Sequence, residues 1–269
     1  MSEHIEFPGN KIEADPSLEH ELFPAECIVI PGHSIEFVKR ASGTGTWKPT
    51  RLIQGVNERG WRTGKRKLDL TPKSEDAIVG GGTAVTLAAA EYFSELKENG
   101  TPLKLIIFAA GRPAYLNENA PEDPELVEGK PMVKLFEQET RAIEELGEEN
   151  VVVLWKGHKN TQDDVEKSIE LAVSRGYTRI AFLLLELRLE RAEAFWNAIR
   201  KEKPELNSLD VRFLAAEDFL RRRYKEHPEM ARKIISAFES SRAFDKTKKS
   251  EVGGAKAVRE GGYQGKGNY

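Results

Sequence analysis

The chain of 269 residues holds one cysteine, Cys27, and three methionines, so an internal disulfide framework is excluded and a reducing compartment is expected. No apolar run approaches the roughly 18–20 residues that cross a bilayer, and the amino terminus, MSEHIEFPGNKIEADP, lacks both a basic start and an apolar middle. A cytoplasmic protein with no membrane association follows as the expectation. A strong charge of one sign is also missing: 41 basic and 44 acidic side chains leave a net charge of -3, which gives no general reason to bind nucleic acid. Neither standard nucleotide fingerprint is present. No Gly-Lys-Ser/Thr follows the glycines of VGGGTAV, and no Gly-x-Gly-x-x-Gly follows the first apolar run.

Five short apolar runs are present: CIVIP from Cys27, LKLIIFAA from Leu103, VVVLW from Val151, RIAFLLLEL from Arg179 and DVRFLAA from Asp210. None alternates cleanly between apolar and polar residues, which is the pattern of strands covered on both faces. Between them lie segments with apolar residues three and four apart, such as Val85, Ala88, Tyr92 and Leu96, or Val165, Ile169 and Val173. Each presents one apolar stripe to a core. Alternation of this kind with short connections predicts right-handed βαβ units, hence a three-layer, doubly wound, mainly parallel sheet of Rossmann-like type. The expected organisation is an extension over 1–24, one α/β domain over 25–244 and a disordered Gly/Lys-rich tail over 245–269, too polar to pack.

Two stretches interrupt this economy: Ser34 to Ile78, and the proline-rich loop from Arg112 to Pro131. Both leave the carboxyl edge of the sheet, where open α/β proteins bind ligands, so they are expected to be covers or disordered insertions. The strand ends carry the chemistry. After the first run come Gly32, which lets backbone approach a ligand, and His33, either a solvated turn histidine or an acid, base or metal ligand. Gly80, Gly81 and Gly82 open a helix whose free N–H groups suit an anion, or simply start the helix. Gly111 and Arg112 end the second run, the arginine being either an anion clamp or a partner of the acidic loop that follows. After the third run, His158, Asn160, Thr161, Asp163 and Asp164 combine helix-capping chemistry with a cluster that capping alone does not require.

The order of these motifs resembles the family of uncharacterised proteins typified by YdcF, SanA and ElyC. PGHS at Pro31, AAGR at Ala109, the helix with Glu137 and Glu139, HKNTQDD at His158 and RLERA at Arg188 stand where that family has its signature segments. His158 replaces a family serine, and Arg188 a family histidine. The resemblance implies a Rossmann-like fold with a pocket at the strand ends, and an association with S-adenosylmethionine binding. It points to Gly32, His33, Gly111, Arg112, Asn160, Thr161, Arg188 and Arg191 as ligand-binding residues. Glu137, Glu139, Asp163 and His158 are then the catalytic candidates. The expected partner is a small anionic ligand, nucleotide-like, S-adenosylmethionine-like or phosphorylated, with no cofactor or metal assigned. The alternative is a non-catalytic assembly protein that meets a protein partner through its tail. Nucleic-acid binding through Arg221, Arg222, Arg223, Lys225 and the basic tail ranks last, for want of an aromatic stacking pattern.

Overall fold

The computed structural model describes residues 22–33, 35–39, 45–50, 53–55, 77–79, 81–113, 116–117, 120–158, 160–239 and 242–263. Residues of the expected extension before 22, much of the first insertion and the last six of the tail lie outside this set. Five strands form one wholly parallel sheet: β1 (Cys27–Pro31), β6 (Leu105–Ala109), β7 (Val151–Leu154), β8 (Arg179–Leu184) and β9 (Asp210–Ala215). Their spatial order is β7-β6-β1-β8-β9, so the chain builds outward on one side of β1, crosses back, and builds outward on the other. The crossing makes a topological switch point between β1 and β8.

The strands are apolar throughout because both faces are covered. One face packs α1 (Gly82–Glu98), α2 (Gly129–Thr140) and α6 (Ala216–Arg223) around Tyr92, Phe93, Phe108, Phe136 and Phe219. The other packs α4 (Thr161–Ser174) and α5 (Glu186–Glu202) around Phe182, Val165, Ile169 and Trp196. Phe108 and Phe136 meet edge-on at 5.6 Å and are fully buried, so truncating either to alanine would cost about 3–5 kcal/mol. Cys27 is fully buried in β1. No helix of the described residues is long and apolar enough to cross a membrane.

Three expectations change. The helix with Glu137 and Glu139 ends at Thr140 and is followed by a separate short α3 (Ala142–Leu146), because Arg141 takes a left-handed conformation and Glu137 turns its carboxylate onto the Ile143 N–H at 2.8 Å. The insertion after β1 contains two antiparallel pairs, β2 (Ile35–Lys39) with β3 (Gly45–Pro49), and β4 (Ile53–Gly55) with β5 (Ala77–Val79). The tail, expected to be disordered from 245, continues the helical layer instead. After α7 (Pro228–Glu239), α8 (Arg242–Arg259) lies along α5, burying Ala255 and Val258 against Ala194 and Phe195. Its glycines concealed this. Gly254 faces the Arg191 side chain so closely that a Cβ there would stand 3.1 Å from it, which makes the glycine a packing residue.

Candidate functional site

Gly32 and His33 follow β1 at the centre of the carboxyl edge. Gly32 donates its N–H to the Ala109 carbonyl at 2.8 Å, and a Cβ on it would fall 2.5 Å from a carboxylate oxygen of Glu128. Only glycine leaves room for that acid, which precedes α2 and is 5% exposed. His33 is 1% exposed, and its Nδ1–H donates to the Pro31 carbonyl at 2.6 Å. A carbonyl only accepts, so this bond fixes the proton on Nδ1 and leaves Nε2 as a bare acceptor in the neutral ring. Burial, with the Arg188 cation adding to it, holds the imidazole well below the usual histidine range. Nε2 has no hydrogen-bond partner among the described residues.

Arg188 comes from the first turn of α5, directly after β8, and therefore faces His33 across the switch point. Its Nη1 reaches the Gly32 carbonyl at 3.4 Å, while its buried Nε has no partner among the described residues. Beyond β9, Glu217 is 2% exposed and accepts the Glu186 N–H at 2.9 Å, capping α5. Burial, only partly offset by the N–H groups it accepts, raises its carboxyl to about 7.

His158 follows β7, two strands from His33. Gly157, with φ 77°, makes the left-handed turn that a side chain would oppose. The His158 Nδ1–H then donates to Asp164 Oδ1 at 2.6 Å, with the two side chains 0% and 2% exposed. Nε2 of His158 likewise has no partner among the described residues. A buried carboxylate on one imidazole nitrogen orients the ring and stabilises the cation formed when the other nitrogen takes a proton.

Against this core, several expected site residues serve the fold. Arg112 is corrected from anion clamp to loop staple. Its Nε donates to Asn117 Oδ1, Nη1 to the Asp123 and Leu126 carbonyls, and Nη2 to the Leu116 and Ala120 carbonyls. Five bonds use all five guanidinium donors. Arg191 is held by α8 and the residues after it, through Glu251 at 3.3 Å and the Tyr263 hydroxyl at 2.7 Å, with its plane over the Phe195 and Tyr263 rings. Glu139 pairs with Arg223, and both Glu139 and Glu137 occupy the last turn of α2, which has run back toward the amino edge. Neither can share a site with His33. Asn160 caps α4 by accepting the Asp163 N–H at 3.1 Å, Thr161 is the first residue of that helix, and Gly111 is buried beside Arg112. The helix start at Gly82 is also taken, its first two N–H groups donating to the His33 and Thr50 carbonyls at 3.0 and 2.8 Å.

No protein-family model, curated protein or solved structure matches this chain.

The set that the geometry gathers is thus His33 with Arg188 at the switch point, the His158–Asp164 pair, and the buried acids Glu128 and Glu217. Among the described residues no three His, Cys, Asp or Glu side chains are placed to hold one metal ion. Glu128 and Glu217 escaped sequence reasoning, and of the acidic pair after the third run Asp163 rather than Asp164 was the catalytic candidate. A signal for Asp164 existed: it shares a helix face with Val165, Ser168, Ile169 and Ala172, all buried, whereas Asp163 does not.

Proposed function

We propose that the chain binds a small anionic ligand, nucleotide-like, S-adenosylmethionine-like or phosphorylated, across the carboxyl edge of its sheet. Arg188 is its cationic contact and His158 the general base. The observation that carries this reading is the buried His158–Asp164 pair at 2.6 Å with Nε2 unpartnered among the described residues. Buried polar atoms normally find partners, and one held in place without a partner is the form a proton acceptor takes before its substrate arrives. His33 lies two strands away, about 10 Å at the usual spacing, so a ligand touching both has the length of a nucleoside phosphate. The resemblance to YdcF, SanA and ElyC agrees in placing the ligand at the strand ends, and supplies no reaction.

A second reading, a non-catalytic assembly protein, draws on the commitment of Arg112 and Arg191 to their own chain. A thermal-shift screen of nucleotides, S-adenosylmethionine, sugar phosphates and divalent cations separates the two. A ligand at ~100 times its Kd adds ~2.7 kcal/mol, a clear rise in Tm, and Arg188→Ala should abolish it. Silence across the panel from folded protein overturns the ligand-binding reading and leaves assembly.

A further inference from the structure

We infer that the switch-point site at His33 and Arg188 selects a phosphoryl group that still carries a proton, and rejects sulfate and carboxylate. The inference rests on the anion reading above and names the chemical class of its ligand. Two buried atoms define the site, and they ask for opposite things. Arg188 Nε–H is a cationic donor without a partner among the described residues, and it needs an anionic oxygen. His33 Nε2 needs a donor, because the Pro31 carbonyl at 2.6 Å has fixed the ring proton on Nδ1. Protonating Nε2 instead would place a second cation beside Arg188 in a buried position, and both effects hold the ring neutral.

A ligand satisfying both must therefore be an anion that is also a hydrogen-bond donor. Sulfate has no proton at neutral pH, and a carboxylate lost its own near pH ~4. A phosphoryl monoanion, the form that prevails below its second pKa of ~6, bears negative charge and still has an O–H to offer, and the bare Nε2 favours that form over the dianion. Its ionised oxygen would accept from Arg188 and its P–O–H would donate to His33. Against sulfate, the same site would place a lone pair against the buried Nε2 lone pair and leave both unsatisfied, a mismatch of the kind that costs at least ~10-fold in affinity.

The test is calorimetric titration of the full chain with inorganic phosphate, phenyl phosphate and sulfate at about pH 5.5, where the phosphoryl monoanion prevails, and at constant ionic strength. Phosphate or phenyl phosphate should bind at least ~10-fold more tightly than sulfate. His33→Gln, whose amide can turn a donor toward the ligand, should narrow that gap. Equal binding of phosphate and phenyl phosphate identifies the phosphoryl end of a larger ligand, and binding of phosphate alone identifies the free ion. If His33→Gln fails to fold, the wild-type ratio decides by itself. Phosphate and sulfate bound alike, or nucleotides bound with no response to either phosphate probe, overturns this selection and leaves the anion reading standing. Silence to every anion removes both.

Discussion

Arg112 and Arg188 both follow parallel strands at the carboxyl edge, and they do opposite work. The region of Arg112 is saturated: five donors meet five acceptors in residues 116–126, and the loop they gather packs Leu116, Ala120 and Leu126 against Ile35 and Trp47 of the first insertion. Arg188 sits in an unsaturated region, where its own Nε and the neighbouring His33 Nε2 are buried without partners among the described residues. Position at a strand end therefore does not identify a binding residue. What distinguishes the two is how much of each side chain's hydrogen-bonding capacity the fold has already used.

The largest expected effect breaks the saturated side. Arg112→Ala should destabilise the protein by about 3 kcal/mol in urea unfolding, since it strands several buried or half-buried carbonyls at once. Hydrogen exchange should accelerate across 116–126 first, and Arg112→Lys should not rescue it, because an ammonium cannot span the same five acceptors. Normal exchange in that loop would sink the staple assignment.

Next comes Glu217. Its carboxyl is raised to about 7 from 4.5, so the native state holds this proton more tightly than the unfolded chain. Its contribution to stability is full below pH 4.5 and is lost as pH rises through 7. Glu217→Gln keeps an acceptor for the Glu186 N–H, and should be more stable than wild type by about 2 kcal/mol at pH 8, with the gain vanishing near pH 4.5. A gain independent of pH would contradict the shift.

A smaller effect belongs to the amino edge. Glu26 bonds Lys104 at 2.9 Å and the Thr178 N–H at 3.2 Å. The Lys104 bond, mainly, lowers its carboxyl from 4.5 to about 2, so its stabilisation is present above pH 4.5 and disappears as pH falls through 2. Glu26→Gln should cost about 1 kcal/mol at pH 7, and the cost should shrink in acid. The smallest stability change should come from Arg188→Ala, within about 0.5 kcal/mol by chemical unfolding, because the residue has little satisfied bonding to lose. A loss as large as that of Arg112→Ala would erase the distinction between them.

The sheet was legible because parallel strands buried on both faces must be continuously apolar. The apolar runs that begin at Cys27, Leu103, Val151, Arg179 and Asp210 each contain one of the strands Cys27–Pro31, Leu105–Ala109, Val151–Leu154, Arg179–Leu184 and Asp210–Ala215. That His33, His158 and Arg188 lie at the carboxyl edge follows from the same topology. Membership of the site does not, because hydrogen-bond saturation is a three-dimensional property. Nothing in AAGRP announces that residues 116–126 will fold back onto Arg112, or in RLERA that α8 will cage Arg191 while leaving Arg188 at the switch point. Its glycines and lysines hide α8 in the sequence, although Ala255 and Val258 of that helix, with Tyr263 just beyond it, pack against Phe195. The basic run Arg221–Arg223 is likewise neutralised by Asp218, Glu95, Glu91 and Glu139, partners drawn from α6 itself, from α1 and from α2.

The most direct measurement is the nitrogen-15 NMR spectrum of the histidine rings, few enough to assign with five in the chain. The His33 imidazolium should form only well below the usual histidine range, and the neutral ring should carry its proton on Nδ1 and show Nε2 as an unprotonated acceptor. A His33 ring that titrates near pH ~6.5, or that carries its proton on Nε2, would contradict the unsaturated switch point at His33 and Arg188 on which the phosphoryl selection stands.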